Sequence, residues 1–261
     1  MKAIILCGGF GTRLREETEF RPKPMVEIGG RPILWHIMKM YAARGITEFV
    51  LCLGYKANMI KDYFLNYEAM SSDFAIELGR ASSVRYLGGD HAECGWKVTL
   101  AFTGDDANTG ARVKRAAGYL GDEPTFAVTY GDGVSDVDLR KVLDFHRRHG
   151  KLATVTGVRP PSRFGDIVTE GPHVVAFNEK PQVGQGLVNG GFFFFERGFL
   201  DYLDDDDSCV LELKPLTDCV RDGQLCVYEH DGYWQCMDTY RDWQTLERQW
   251  ATGQAPWKVW K

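Results

Sequence analysis

Apolar and polar positions alternate between two rhythms along the first 158 residues. Ala3-Ile4-Ile5-Leu6-Cys7 is a short apolar run that stops at Gly8-Gly9, which predicts a buried strand entering a glycine loop. In GGRPILWHIMKMYAARGI (29–46), Ile33, Ile37, Met40 and Tyr41 recur at helical spacing. Pro32 suits the first helical turn and Gly45 supplies a stop, so a helix is expected. TEFVLCLGY reads as a second buried strand and KANMIKDYFLNY as a second helix. Residues 67–95 are less regular. WKVTLAFTG reads as a strand, NTGARVKRAAGYLG as a helix, and TFAVTYGDG as a strand ending at a glycine-flanked aspartate. VDLRKVLDFHRRHG is a further amphipathic helix and LATVTGV a further strand. This alternation predicts an α/β chain with a mostly parallel sheet and crossover helices.

After Val158 the texture changes. RFGDIVTEG, HVVAFNEKP and LVNGGFFFFE read as short strands separated by turns, an antiparallel or mixed addition to the first sheet. TYRDWQTLERQWATGQ is helical and APWKVWK is an aromatic tail. Without a linker or repeat, one domain over 1–261 is expected. Its parts would be 1–158, 159–240 and a C-terminal helix and tail at 241–261, with a single sheet shared by the first two.

Composition narrows the classes. The net charge of −5 argues against general nucleic-acid or anionic-membrane binding, so any bound phosphate must be held by a few local cations and backbone N–H groups. No apolar run approaches the ~20 residues of a membrane span. The seven cysteines are odd in number, lack C-x-x-C spacing and sit mostly in apolar stretches. They are expected to be reduced, buried thiols of a cytoplasmic protein.

Three stretches carry candidate chemistry. Gly8-Gly9-Phe10-Gly11-Thr12-Arg13 leaves backbone N–H groups open to an anion, and Arg13 adds a planar fork for phosphate. It is neither G-x-G-x-x-G nor a GK[ST] loop, which weighs against an NAD-dependent oxidoreductase and a P-loop enzyme. Lys23, between Pro22 and Pro24, is an ammonium placed on restricted backbone, although a merely solvated lysine would look the same. Asp132, in Tyr130-Gly131-Asp132-Gly133, ends a predicted strand where open α/β sheets bind ligands. It suits Mg²⁺, which takes one or two protein carboxylates and fills the rest with phosphate oxygens and water. Asp238 is the best second carboxylate, though a plain helix N-cap is the competing reading. Lys180 could meet a second phosphate, Glu179 could accept from sugar hydroxyls, and Asn189-Gly190-Gly191 would allow close approach of a ring. Each of these is also a common turn. His146 and His149 are expected on a solvated helix face, and Asp204 to Asp207 in a wet loop.

In this order, GGFGTRL, RPKPM, TYGDG, NEKP, NGGFF and WQCMDT resemble the sugar-nucleotide pyrophosphorylases, and the similarity runs the length of the chain. The resemblance implies a Rossmann-like three-layer nucleotidyltransferase fold and a reaction of CTP with glucose 1-phosphate to give CDP-glucose and pyrophosphate. Transfer of a uridylyl or thymidylyl group is the alternative. Leu6, Cys7, Gly8, Gly9, Phe10, Gly11, Thr12 and Arg13 would wrap the nucleotide, with Ala107, Arg112 and Gly131. Arg13 and Lys23 would lie on phosphates, and Asp132 and Asp238 would hold Mg²⁺. Lys180 would meet the sugar phosphate, with Glu179, Asn189 and Gly190 near the sugar. A homo-oligomer is implied, with a hexamer as the candidate stoichiometry. Two positions depart from the pattern. Ala111 stands where a glycine is expected, and would be strained if that site needs positive φ. Lys214 stands where an acid is expected.

Overall fold

The computed structural model describes residues 1–261 except 10, 12, 13, 80–82, 88–90, 160–165, 171, 179–185 and 261, and only the backbone of 15, 16, 166–170 and 176–178. Its main sheet is built from β1 (Lys2–Leu6), β2 (Glu48–Leu53), β3 (Lys97–Phe102), β4 (Thr125–Tyr130), β5 (Ala153–Val158), β6 (Val188–Asn189), β7 (Phe193–Glu196) and β8 (Leu225–His230). β4, β1, β2 and β3 lie side by side, all parallel. β7 then pairs antiparallel with β4 and with β5, and β8 continues parallel to β5. One reversed segment thus joins the parallel half to the added strands in a continuous sheet, as the pattern predicts.

The α-helices of eight or more residues among those described are α1 (Ile33–Ala42), α2 (Ala57–Leu65), α3 (Thr109–Ala116), α4 (Leu139–His149), α5 (Lys214–Arg221) and α6 (Tyr240–Ala251). Strand residues alternate between two cores. Ala3, Ile5 and Cys7 pack with α1, α2, α4 and α6, whereas Ile4 and Leu6 pack with α3 and α5. The run Phe192–Phe195 divides the same way, with Phe192 and Phe194 on one face and Phe193 and Phe195 on the other. This period of two places a helical layer on each side of the sheet.

The stop at Gly45 is left-handed backbone, φ 87°, which glycine adopts without penalty. Residues 67–95 hold a short helix, Tyr67–Ser71, and an exposed hairpin of Asp73–Ala75 with Arg85–Leu87. Asp166–Glu170 and His173–Asn178, expected as additions to the main sheet, instead pair with each other in a separate two-stranded ladder, which corrects that expectation. The seven thiols are free, but only Cys7, Cys52 and Cys219 are buried and Cys94 is exposed, so the expectation of buried thiols needs correcting for the rest. His146 also needs correcting. Leu139, Val142 and His146 fall on the buried face of α4. His146 Nδ1 lies 2.8 Å and His149 Nε2 2.7 Å from Thr154 Oγ1, a hydrogen-bonded pair under the sheet instead of a solvated face. The acidic run 204–207 is exposed as expected, yet its backbone serves α3, for Asn108 N–H donates to Asp207 O at 2.9 Å.

The aromatic tail packs within its own chain. Trp257 is fully buried, and the His36 ring meets Trp250, Trp257 and Trp260 at 4.6–6.2 Å between centroids.

Candidate active site

The glycine turn leaves the C-terminal end of β1. Cys7 N–H still donates to Cys52 O at 3.0 Å, and Gly131 N–H to Leu6 O at 3.0 Å, so the turn starts from backbone locked on both sides. Glycine at position 8 makes room for Arg112, since a Cβ there would clash with the guanidinium and displace it. Gly11 is left-handed, φ 60°. Its carbonyl accepts from Leu14 N–H at 3.0 Å and from Thr18 Oγ1–H at 2.9 Å, which closes the turn.

Arg112 lies behind this turn. Its guanidinium donates to the carbonyls of Leu53, Gly104 and Asp105 at 3.1, 2.8 and 3.1 Å, and to Thr103 Oγ1 at 3.0 Å. Burial lowers its pKa. The side chain fastens the ends of β2 and β3 beneath Gly8 and Gly54 and is not part of the cleft lining. Ala107 is buried in the segment between β3 and α3, likewise outside the lining. Ala111 is an ordinary helical residue of α3. Among the described residues only Lys56 and Phe192 are non-glycines with positive φ, so the missing glycine strains nothing. Lys214 is exposed and pairs with Asp218 one helical turn on, at 2.7 Å.

Lys23 opens a 3-10 turn, Lys23–Met25, after Pro22 at φ −67°, ψ 148°. The following Pro24 is buried, so the flanking prolines anchor the backbone. Its ammonium does not project into solvent. It donates to Asp132 Oδ2 at 2.7 Å and to Asp238 Oδ1 at 2.5 Å. Burial works against the charge on Lys23, but the two carboxylates outweigh it and raise its pKa. Lys23 is therefore cationic at neutral pH.

A small ladder brings the two acids together. Gly133–Ser135 pairs antiparallel with Trp234–Cys236, Cys236 facing Gly133, and Met237 N–H donates to Asp132 O at 2.9 Å. The residue after Met237 is Asp238, which the ladder delivers beside Asp132. Asp238 does not cap α6. Thr239 does, with Asp242 completing a capping box. The Asp238 carboxylate faces the cleft, where Lys23 donates to it. Cys236 Sγ lies 3.7 Å from its Oδ2, and burial together with Asp238 pushes that thiol up to about 12.

These residues open on a cleft of about 300 Å³ lined by Leu6, Cys7, Gly8, Gly9, Gly11, Lys23, Gly131, Asp132 and Asp238, all expected from the sequence, and by Pro24, Thr109 and Tyr130. Thr109 and Tyr130 lie inside segments whose importance was legible, but nothing in their spacing marked them individually. Asn189 stands one hydrogen bond from the lining, with its Nδ2 donating to Tyr130 Oη at 3.0 Å. Gly190 O accepts from Trp234 Nε1 at 2.8 Å. Phe10, Thr12, Arg13, Glu179 and Lys180 lie outside the described residues.

The donor set suits a hard divalent cation. Two carboxylates meet at a cleft edge around a point already occupied by a positive charge, and among the described residues no cluster of three or more acids, histidines or cysteines is arranged to hold a metal ion. That leaves coordination positions for phosphate oxygens and water, the habit of Mg²⁺.

A family model described as nucleotidyl transferase matches residues 2–245. The chain is 48% identical, over all 261 residues and the whole of the relative, to glucose-1-phosphate cytidylyltransferase of Salmonella typhi. It is 43% identical over 260 residues, again the full length of both, to a Bacillus subtilis protein named "Probable glucose-1-phosphate cytidylyltransferase". Among solved structures, HddC from Yersinia pseudotuberculosis complexed with GMP-PN superposes with a TM-score of 0.65 at 23% identity, covering 95% of this chain and 99% of that one. That similarity is one of fold.

Proposed function

The chain belongs to the nucleotidyl transferase family, and on that premise we propose that it joins CTP and glucose 1-phosphate to give CDP-glucose and pyrophosphate. The observation that carries this reading is the meeting of Lys23, Asp132 and Asp238 at a glycine-walled cleft, in a chain nearly half identical, end to end, to a cytidylyltransferase.

The chemistry asks little of acids and bases. A phosphate oxygen of the sugar phosphate is already anionic at neutral pH. It attacks the α-phosphorus of CTP in line. A new P–O bond forms while the bond to the α–β bridging oxygen breaks, and pyrophosphate leaves with that electron pair. What the protein must do is bring two polyanions together and absorb charge on the leaving group. The glycine turn offers backbone N–H groups without Cβ obstruction, and Lys23 supplies a held positive charge. Asp132 and Asp238 would hold Mg²⁺, which when bound supplies charge neutralisation at the phosphates. Arg13 would meet the pyrophosphate end, Lys180 the sugar phosphate, and Glu179, Asn189 and Gly190 the sugar.

Pyrophosphate release with CTP, UTP and dTTP, each against a panel of hexose 1-phosphates with Mg²⁺, tests the reading. Preference for CTP and glucose 1-phosphate is expected. Faster turnover with UTP or dTTP would replace the cytidylyl assignment. We further propose a cytoplasmic homo-oligomer. Free thiols support the compartment. No helix among the described residues is long and apolar enough to cross a membrane. The exposed side chains of Leu65, Met70, Phe74, Ile76 and Leu78 support association. A monomer in sedimentation velocity would remove the oligomer.

A further inference from the structure

Beside one wall of the cleft runs a set of polar side chains of which the roles above use only Asn189. Tyr130 Oη lies 2.5 Å from Glu212 Oε1 and 3.0 Å from Asn189 Nδ2. Thr109 Oγ1 lies 2.6 Å from Glu212 Oε2. Asn189 Oδ1 accepts from Gly191 N–H at 2.9 Å. The four residues come from four separate segments, and two of them, Thr109 and Tyr130, line the cleft.

The direction of each bond follows from chemistry. A carboxylate only accepts, so Tyr130 and Thr109 both donate their hydroxyl protons to Glu212. Tyr130 then has only lone pairs left, and its other neighbour must donate. Asn189 therefore presents Nδ2 to the tyrosine and turns Oδ1 to the Gly191 N–H. Thr109 fits the same logic, since its oxygen accepts from Leu211 N–H at 2.9 Å. The backbone under Asn189 is unusual as well. Pairing with β5 changes register between Asn189, opposite Gly157, and Phe194, opposite Thr154. Across that shift Gly191 and Phe192 are both left-handed, φ 77° and 48°. A buried phenylalanine in that region is strained, and such strain collects where a side chain has to be aimed.

We propose that Glu212 is a positioning residue for the acceptor sugar phosphate. By setting the bond direction along Glu212–Tyr130–Asn189, it fixes which N–H and which lone pair of the Asn189 amide remain for a sugar hydroxyl. The inference rests on the transferase reading, with Asn189 on the sugar side. It goes beyond that reading in giving roles to Glu212 and to the Tyr130 hydroxyl.

The test uses the full chain with Tyr130→Phe, Glu212→Gln and the double variant. CTP and glucose 1-phosphate are varied in turn, and thermal melting is recorded alongside. Tyr130→Phe keeps the ring and removes only the relaying hydroxyl. Glu212→Gln keeps the shape but can donate, which scrambles the direction. Each single variant is expected to raise KM for glucose 1-phosphate about tenfold, the scale of one directed hydrogen bond. KM for CTP should stay within about twofold in Tyr130→Phe, whose lost bonds all lie on the acceptor side. The double variant should be no worse than about the weaker single, because both act through one chain of bonds. Lower melting temperatures with an unmoved KM for glucose 1-phosphate would make Glu212 a structural fastener only and overturn the proposal. Fully multiplicative effects would also overturn it. A wild-type chain that releases no pyrophosphate from any nucleotide and sugar phosphate would sink the transferase reading and this proposal with it. An active wild type with unmoved variants would sink the proposal alone.

Discussion

The ammonium of Lys23 lies 2.7 Å from Oδ2 of Asp132, so a group expected on phosphates is held by one of the acids expected to bind metal. Its second bond, to Asp238, closes a three-residue cluster with more negative than positive charge. The lysine occupies the place between the carboxylates that a cation would favour. The same electrostatics that keep it charged keep it beside the cleft.

Lys23→Ala should cut turnover by about a hundredfold or more, since removing a preorganised charge from such a site costs ~3–4 kcal/mol. The same variant should bind Mn²⁺ or Mg²⁺ more tightly in calorimetry, because the competing ammonium is gone. Near-normal turnover in the folded variant would refute the role of Lys23. Weaker metal binding would refute the competition.

Asp132→Asn and Asp238→Asn should each lower turnover by about a hundredfold or more, and each should raise the Mg²⁺ concentration giving half-maximal rate. Unchanged Mg²⁺ dependence in both would show that the ion is held elsewhere.

Gly8→Ala would press a methyl group into the Arg112 guanidinium, 2.1 Å from its Cζ. A lower melting temperature, by a few degrees, and a raised KM for CTP are expected together. Gly118→Ala is the matched control. A Cβ there meets nothing within 4 Å, so melting and kinetics should barely move. Equal behaviour of the two variants would mean that the turn can yield.

His36 makes stability depend on pH. Its ring is buried, and burial lowers its pKa to about 4. Nε2 lies 2.9 Å from Ile28 O, so that nitrogen donates, and Nδ1 accepts from Trp257 Nε1–H at 3.4 Å. A second proton on Nδ1 would face that donor. Between pH 6.5 and 4 the unfolded chain takes up the proton and the folded chain does not. Stability is therefore full above the unfolded value and falls as pH drops towards 4, by about 3 kcal/mol in all. Urea unfolding of wild type and His36→Gln across this range should show the steeper acid loss in wild type. Parallel slopes would rule His36 out as the cause.

Much of the fold was legible because burial imposes a period. Ile33, Ile37, Met40 and Tyr41 announce α1, and the run Phe192–Phe195 behaves as a strand whose faces serve two cores. His146 was misread as solvated because polarity alone does not show which face of α4 meets the sheet. There it finds Thr154 and becomes cheap to bury.

By itself the sequence determined the order of strands and helices, the glycine turn after β1, and the residue types able to handle phosphate. Those follow from local backbone preference and from the spacing of apolar side chains. Only the tertiary structure decided that Lys23 rests on Asp132 and Asp238, that Arg112 braces the turn from behind, and that Glu212 reaches Tyr130. Each of those is a contact between segments far apart in the chain. Pairing across a sheet sets such contacts, and no periodicity records which distant residue will be the partner.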